Sequence, residues 1–431
     1  MPASAPYTSE LAELLAPGVL ERFLRYVRID TQSARDGNGT PSTPGQFELA
    51  RLLVAELHDA GLSDAAVDEH CYVTATLEPS QAVPGAPTIG LLAHIDTSPD
   101  APGAGVEPLV HRGYGGGVIE LPREGTRLDP EAMPELAPKN GHDIVSSSGD
   151  TLLGADDKAG MAEIMAAVAH LAAHPELPRS RIRVAFTPDE EIGQGPKLFD
   201  IGAFGALCAY TLDGSDLGFV EHESFSAIEA IVGIEGIDVH AGHATGKLVN
   251  ALRFAAQMVA ALPSDRLTPE TTSGRDGFIH PYSIAGTPKH AEIRLILREF
   301  DEQLLEAEVA LLKRVVDEVT APEPRVRADV KLTEQYRNMR TYVEAAPFVL
   351  QAAEQAIRAE GIEPIHRPIR GGTDGSQLSA RGLPTPNIFT GGNEYHSNRE
   401  WASVHDMAAA AATVVRLAEV WAGHDGSDNG R

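Results

Sequence analysis

Thr88-Ile89-Gly90-Leu91-Leu92-Ala93-His94-Ile95-Asp96 sets the architecture of the chain. Its opening residues, up to Ala93, form a short apolar run without helical period, as expected of a strand buried in a mainly parallel sheet. The run ends on a His-x-Asp pair, and in an extended chain residues two apart point the same way. Arg181-Ile182-Arg183-Val184-Ala185-Phe186 and Leu207-Cys208-Ala209-Tyr210-Thr211-Leu212 read as two more strands, each ending at acidic residues. Between the first two strands, Ala159 to Ala172 is almost wholly apolar and predicts a buried helix. Strand, helix and strand in alternation imply a wound α/β sheet.

Outward from that centre, Val19, Leu20, Phe23, Leu24 and Val27 recur at helical spacing, and Phe47 to Leu57 repeats the pattern before the turn signal Ala60-Gly61. Residues 99–149 are rich in Gly and Pro and predict a long loop region with a little extended structure. The texture changes over residues 221–330, where 227–239 and 290–298 read as strands and 248–262 and 302–319 as helices. That stretch predicts a smaller α+β insert. Helix 347–359, strand 384–389 and helix 407–421 then resume the α/β style, and residues 422–431 form a polar tail. The expected layout is a first catalytic part (1–220), the insert (221–330) and a second catalytic part (331–431).

The chain has 431 residues and is 42% hydrophobic, enough for two domains with real cores. Its 62 Asp+Glu against 35 Lys+Arg leave a net charge of −27, which repels phosphate backbones and anionic headgroups. Nucleic acid and membrane surfaces are therefore excluded as expected partners. Cys71 and Cys208 are the only cysteines, too few for a disulfide framework and wrongly spaced for a thiolate zinc site. With no secretion signal in residues 1–22 and no membrane-length apolar run, the expected setting is the cytoplasm.

Open α/β sheets bind ligands beyond the carboxyl ends of their strands. Metal-type side chains stand there repeatedly: His94 and Asp96, Asp156 and Asp157 at the mouth of the apolar helix, Asp189-Glu190-Glu191, Asp213, and His396 in a glycine-rich loop. Each has a bland reading alone, as a helix cap, a surface acid or an incidental histidine. Carboxylates crowded together cost energy unless they share a proton or a cation, and the set as a whole supplies two zinc sites. Oxygen and imidazole donors without thiolates suit zinc, with cobalt or manganese as substitutes. No strand-to-helix turn carries a phosphate cradle; Gly113 to Gly117 lacks a following Lys-Ser/Thr.

In this order, His94-x-Asp96, Asp156-x-Lys158, Glu190-Glu191, Asp213 and His396 resemble the co-catalytic zinc exopeptidases, the family of peptidase T, carboxypeptidase G, peptidase V and the aminoacylases. The peptidase T signatures are matched nearly verbatim by residues 94–100, 152–160, 188–193 and 368–375, and the opening helix fits through 26–33. The resemblance spans almost the whole chain. It implies a tripeptide aminopeptidase in which His94 and Asp213 hold one zinc, Glu191 and His396 a second, and Asp156 bridges them. Asp96 would orient His94, and Glu190 would be the general base for the water shared by the ions. The peptide bond Asp156-Asp157 is expected to be cis.

The same resemblance makes the insert a lid domain that often mediates homodimerisation. His240 matches the lid histidine that steadies the oxyanion, and Asn250 a polar lid position near substrate. Here the chain reads His240-Ala241-Gly242 where the family has His-Pro-Gly, and Asn393-Glu394 and Ser397-Asn398 around His396 are atypical. Arg370, with its planar fork, is a candidate for gripping a peptide carboxylate, or else a structural salt bridge. A related dipeptidase or N-acyl-amino-acid amidohydrolase is the alternative within this metal chemistry, and a non-catalytic metal-binding scaffold lies outside it.

Overall fold

The computed structural model describes residues 5–37 and 39–425, so the expected tail lies outside the described residues from 426 onward. The chain divides into two units. The larger takes residues 1–222, 339–367 and 373–431; the smaller takes 223–338 and 368–372.

The larger unit is built on an eight-stranded sheet in the order Ala66–Val67, Val73–Leu77, Ile182–Thr187, Ile89–His94, Cys208–Gly214, Asn387–Phe389, Phe219–Glu221 and Ile365–His366. Its centre is parallel: Ile89–His94 lies between Ile182–Thr187 and Cys208–Gly214, running the same way as both, and Asn387–Phe389 continues the parallel set. Both faces are covered, which is why these strands read as unbroken apolar runs. Ile89, Leu91 and Ala93 join one core with the helices Glu10–Tyr26, Ala155–Ala173 and Val404–Ala422. Leu92 points the other way, into a smaller cluster with Phe199, Phe204, Ala209 and Leu378.

Two glycines are required by close approach. A Cβ on Gly90 would stand 2.6 Å from the Phe204 ring and 2.8 Å from Ala209 Cβ. A Cβ on Gly160 would stand 1.8 Å from the Leu212 carbonyl oxygen, so only glycine lets the helix Ala155–Ala173 lie this close to the strand Cys208–Gly214. That contact sets Asp156, at the helix mouth, beside Asp213.

The loop region at 99–149 contains more order than its composition predicts. Leu109–His111 and Ile144–Ser146 pair with Trp401–Ser403 and Gly392–Asn393 in a four-stranded sheet.

In the smaller unit, four antiparallel strands run in the order Phe278–Gly286, His290–Glu299, Ser226–Glu235 and Arg327–Tyr336. The helices Ala251–Ala261 and Glu302–Thr320 bury Met258, Leu312 and Val316 with Val232, Leu295 and Leu297. Two of these strands are absent from the sequence reading. Phe278–Gly286 contains Pro281 and is mostly exposed, whereas the edge strand Arg327–Tyr336 alternates partly buried Ala328, Val330 and Leu332 with charged residues, a pattern the sequence reading passed over. Because Arg327–Tyr336 belongs to this sheet, the smaller unit runs on to Asn338 rather than 330. Among the described residues no helix is long and apolar enough to cross a membrane.

Candidate metal centre

The parallel strands deliver the polar side chains at their carboxyl ends. His94 is the last residue of Ile89–His94, Asp213 stands near the end of Cys208–Gly214, and Glu190 and Glu191 occupy a single 3-10 turn just beyond Ile182–Thr187. Asp156 and Asp157 sit at the mouth of the helix Ala155–Ala173 with non-helical backbone angles, and the peptide bond between them is cis, as expected. His396 has φ +59, a left-handed conformation uncommon outside glycine and concentrated at functional sites.

These side chains converge on Asp156. Its Oδ1 lies 2.8 Å from His94 Nε2, which is 3.8 Å from Asp213 Oδ1. Its Oδ2 lies 3.2 Å from His396 Nε2, which is 2.9 Å from Glu191 Oε2. His94, Asp156 and Asp213 form one potential metal-ligating group, and Asp156, Glu191 and His396 a second.

A surrounding set of contacts holds these groups in place. His94 Nδ1 donates to the main-chain carbonyl of Asp96 at 3.0 Å and lies 3.4 Å from the carboxylate of Asp96, the residue expected to orient it. The Asp96 carboxylate also accepts the backbone N–H groups of Glu190 at 2.9 Å and Glu191 at 3.2 Å. Asp157 accepts the His94 backbone N–H at 3.1 Å, and buried Lys158 donates to the Ile29 carbonyl at 2.7 Å. Asp100, paired with Arg35, lies 3.6 Å from the second nitrogen of His396. Asp374 accepts from Thr187 Oγ1 at 2.5 Å, and Glu400 accepts three backbone N–H groups in the turn leading to Asp156. Asp100, Asp374 and Glu400 had no assigned role in the sequence reading, because the partners of each lie far away in the chain.

The electrostatics describe a site crowded with negative charge. Burial, then repulsion from Asp157 and Asp156, pushes the Asp213 carboxyl well up, and burial followed by the Asp156 charge lifts Glu191 to about 7. Burial also acts to raise Asp156, but the hydrogen bonds from His396 and His94 reverse it and hold that carboxyl below its usual range. Burial lowers His396, yet Asp156 and Glu191 outweigh it and lift the imidazole to about 11.

The donors fit a pair of metal ions. With Nδ1–H of His94 given to a carbonyl, its Nε2 lone pair faces two carboxylates, an arrangement that calls for a proton or a cation between them. Glu191 Oε1 is buried and makes no hydrogen bond among the described residues. Imidazole and carboxylate donors in this mixture are those of zinc and its divalent neighbours.

His240, Asn250 and Arg370 belong to the smaller unit. His240 is exposed and its Nδ1 accepts the Gly242 N–H at 3.1 Å. The Asn250 side chain caps the helix Ala251–Ala261, accepting from Leu252 and Arg253. Arg370 donates to the carbonyls of Gly274 at 3.0 Å and Asp276 at 2.8 Å and to Thr272 Oγ1 at 3.0 Å, with its guanidinium over the rings of Phe225 and Phe278. Here its fork holds the 272–276 loop.

Residues 151–420 match the sequence profile described as Peptidase family M20/M25/M40. Peptidase T of Geobacillus thermodenitrificans (strain NG80-2) is 45% identical over 404 residues, covering 94% of this chain and 98% of that protein. The crystal structure of aminopeptidase PepT from Bacillus cereus ATCC 10987 superposes with a TM-score of 0.72 at 23% identity, over 94% of this chain and 99% of that one. A Bacillus subtilis protein described as a dinuclear metal binding peptidase from the M20 family aligns with a TM-score of 0.63 at 15% identity, covering 95% of this chain and 98% of that one.

Proposed function

The chain belongs to peptidase family M20/M25/M40, and from that membership we propose that it is a metal-dependent tripeptide aminopeptidase of the peptidase T kind, releasing the N-terminal residue of short peptides. One observation carries the reading: the two oxygens of Asp156 face separate donor groups. In this reading His94, Asp156 and Asp213 hold one zinc ion and Asp156, Glu191 and His396 a second, with cobalt or manganese as substitutes. When bound, the pair supplies Lewis-acid activation of water and of the scissile carbonyl.

Glu190 then takes a proton from the attacking water and returns it to the leaving nitrogen. Burial first pushes its carboxyl well up, with the His94 charge opposing and those of Asp213, Asp374 and Glu191 adding to it. Asp96 fixes the backbone under Glu190 and Glu191, so base and ligand are set by one carboxylate. The roles inferred for His240, Asn250 and Arg370 belong to the same proposal; single alanine variants with unchanged kcat and KM would remove them from it. A cytoplasmic setting, supported by the free and buried Cys71 and Cys208, and a homodimer through the smaller unit complete it.

The test is hydrolysis of free tripeptides, N-blocked tripeptides, dipeptides and N-acyl amino acids, with chelator and with zinc or cobalt restored. Metal-dependent cleavage of free tripeptides is expected, with blocked ones left intact. Preference for N-acyl amino acids would move the chain to the amidohydrolases.

A further inference from the structure

Four residues after His396, the chain turns a buried carboxylate onto the loop that carries Asp156. Leu153 and Gly154 each donate a backbone N–H to Glu400 Oε2 at 2.7 Å, and Asp156 donates its own to Oε1 at 3.1 Å. Glu400 is 1% exposed. Gly154 is left-handed at φ +83, and successive N–H groups around such a residue form a concave anion-binding turn. In this protein the turn is filled by the chain's own carboxylate. Glu400 is itself anchored, because Trp401–Ser403 pairs with Ile144–Ser146 in the second sheet.

We propose that Glu400 is a positioning residue for the metal pair: it clamps the 153–156 turn and thereby sets the carboxylate through which Asp156 would serve both ions. The inference rests on the bridging role proposed for Asp156. One loop would then deliver a ligand, His396, and also fix the ligand held in common. The consequence differs from ordinary loss of a loop contact. Loosening His396 should affect one ion, whereas loosening Asp156 should affect both in parallel.

Glu400→Gln is the informative substitution. Its single amide oxygen can still accept from Leu153 and Gly154, but its NH2 group then confronts the Asp156 N–H, donor against donor. Metal-free wild type, Glu400→Gln and His396→Ala are titrated with Co2+, read by visible absorption and calorimetry, with the melting temperature of each metal-free protein as the control for folding. Glu400→Gln is expected to weaken both binding steps about ten- to a hundred-fold with little change in melting temperature, while His396→Ala weakens chiefly one. Wild-type affinity in both steps, or loss confined to one, overturns the clamp. Failure of the wild type to bind two ions would instead overturn the metal reading itself. If Glu400→Gln does not fold, hydrogen exchange of the 153, 154 and 156 amides in the metal-free wild type settles the matter: protection supports the clamp, and exchange at the rate of an open loop overturns it.

Discussion

The Asp96 carboxylate accepts the backbone N–H of Glu190 at 2.9 Å and, through its other oxygen, that of Glu191 at 3.2 Å. A single buried side chain therefore locates both the proposed base and a proposed ligand. Asp96→Ala is expected to lower kcat about ten- to a hundred-fold and to weaken metal retention in the Glu191 group. Kinetics together with elemental analysis check this. Full activity with normal metal content would confine Asp96 to a packing role.

Glu190 and Glu191 are neighbours with different expected fates. Glu190→Gln should keep its metal and lose about a hundred-fold or more in kcat, the usual scale for a removed general base. Glu191→Ala should lose metal from the group it shares with Asp156 and His396. Metal analysis and turnover numbers on the same preparations separate the two, and equal metal loss in both variants would defeat the assignment.

Gly160 offers a test of how packing builds the site. In Gly160→Ala the new Cβ would fall 1.8 Å from the Leu212 carbonyl oxygen, so helix and strand must separate. Overpacking of this kind costs about 1–3 kcal/mol, and here it should also part Asp156 from Asp213. A lower denaturation midpoint accompanied by weaker metal binding is the expected pair of results, and a midpoint equal to that of the wild type would show that the contact yields freely.

Glu308, in the helix Glu302–Thr320, has a separate pH signature. Its side chain is buried, neither carboxyl oxygen makes a hydrogen bond among the described residues, and burial, then the Glu299 charge, pushes its pKa up to about 9. Its folded pKa thus exceeds its unfolded one, so the fold holds the proton more tightly than the unfolded chain does. The stability it contributes is present at low pH and drains away as pH rises from about 5 to about 9, by up to about 1.4 kcal/mol per pH unit. Urea unfolding at pH 5, 7 and 9 should show Glu308→Gln gaining on the wild type at each step. A gap that stays constant with pH would count against a neutral buried carboxyl.

Much of this was legible in the residues themselves. Ile89–His94 declared itself because both of its faces are buried, and the proposed ligands stood out because each follows a strand or opens a helix. The hold of Asp96 on the backbone of Glu190 and Glu191 did not, since those N–H groups lie more than ninety residues away in the chain. Glu400 was invisible for a related reason: its partners are backbone groups more than two hundred residues earlier, which no local spacing announces. The strand Phe278–Gly286 went unread because its side chains are largely exposed and Pro281 interrupts it, whereas Arg327–Tyr336, with Ala328, Val330 and Leu332 alternating with charged residues, was legible and was passed over.

Anomalous diffraction at the zinc edge, on crystals of the zinc-loaded protein, tests the central claim most directly. Two peaks are expected, one bounded by His94 and Asp213 and the other by Glu191 and His396, with one Asp156 oxygen directed at each. A single peak, or two peaks that do not share Asp156, would contradict it.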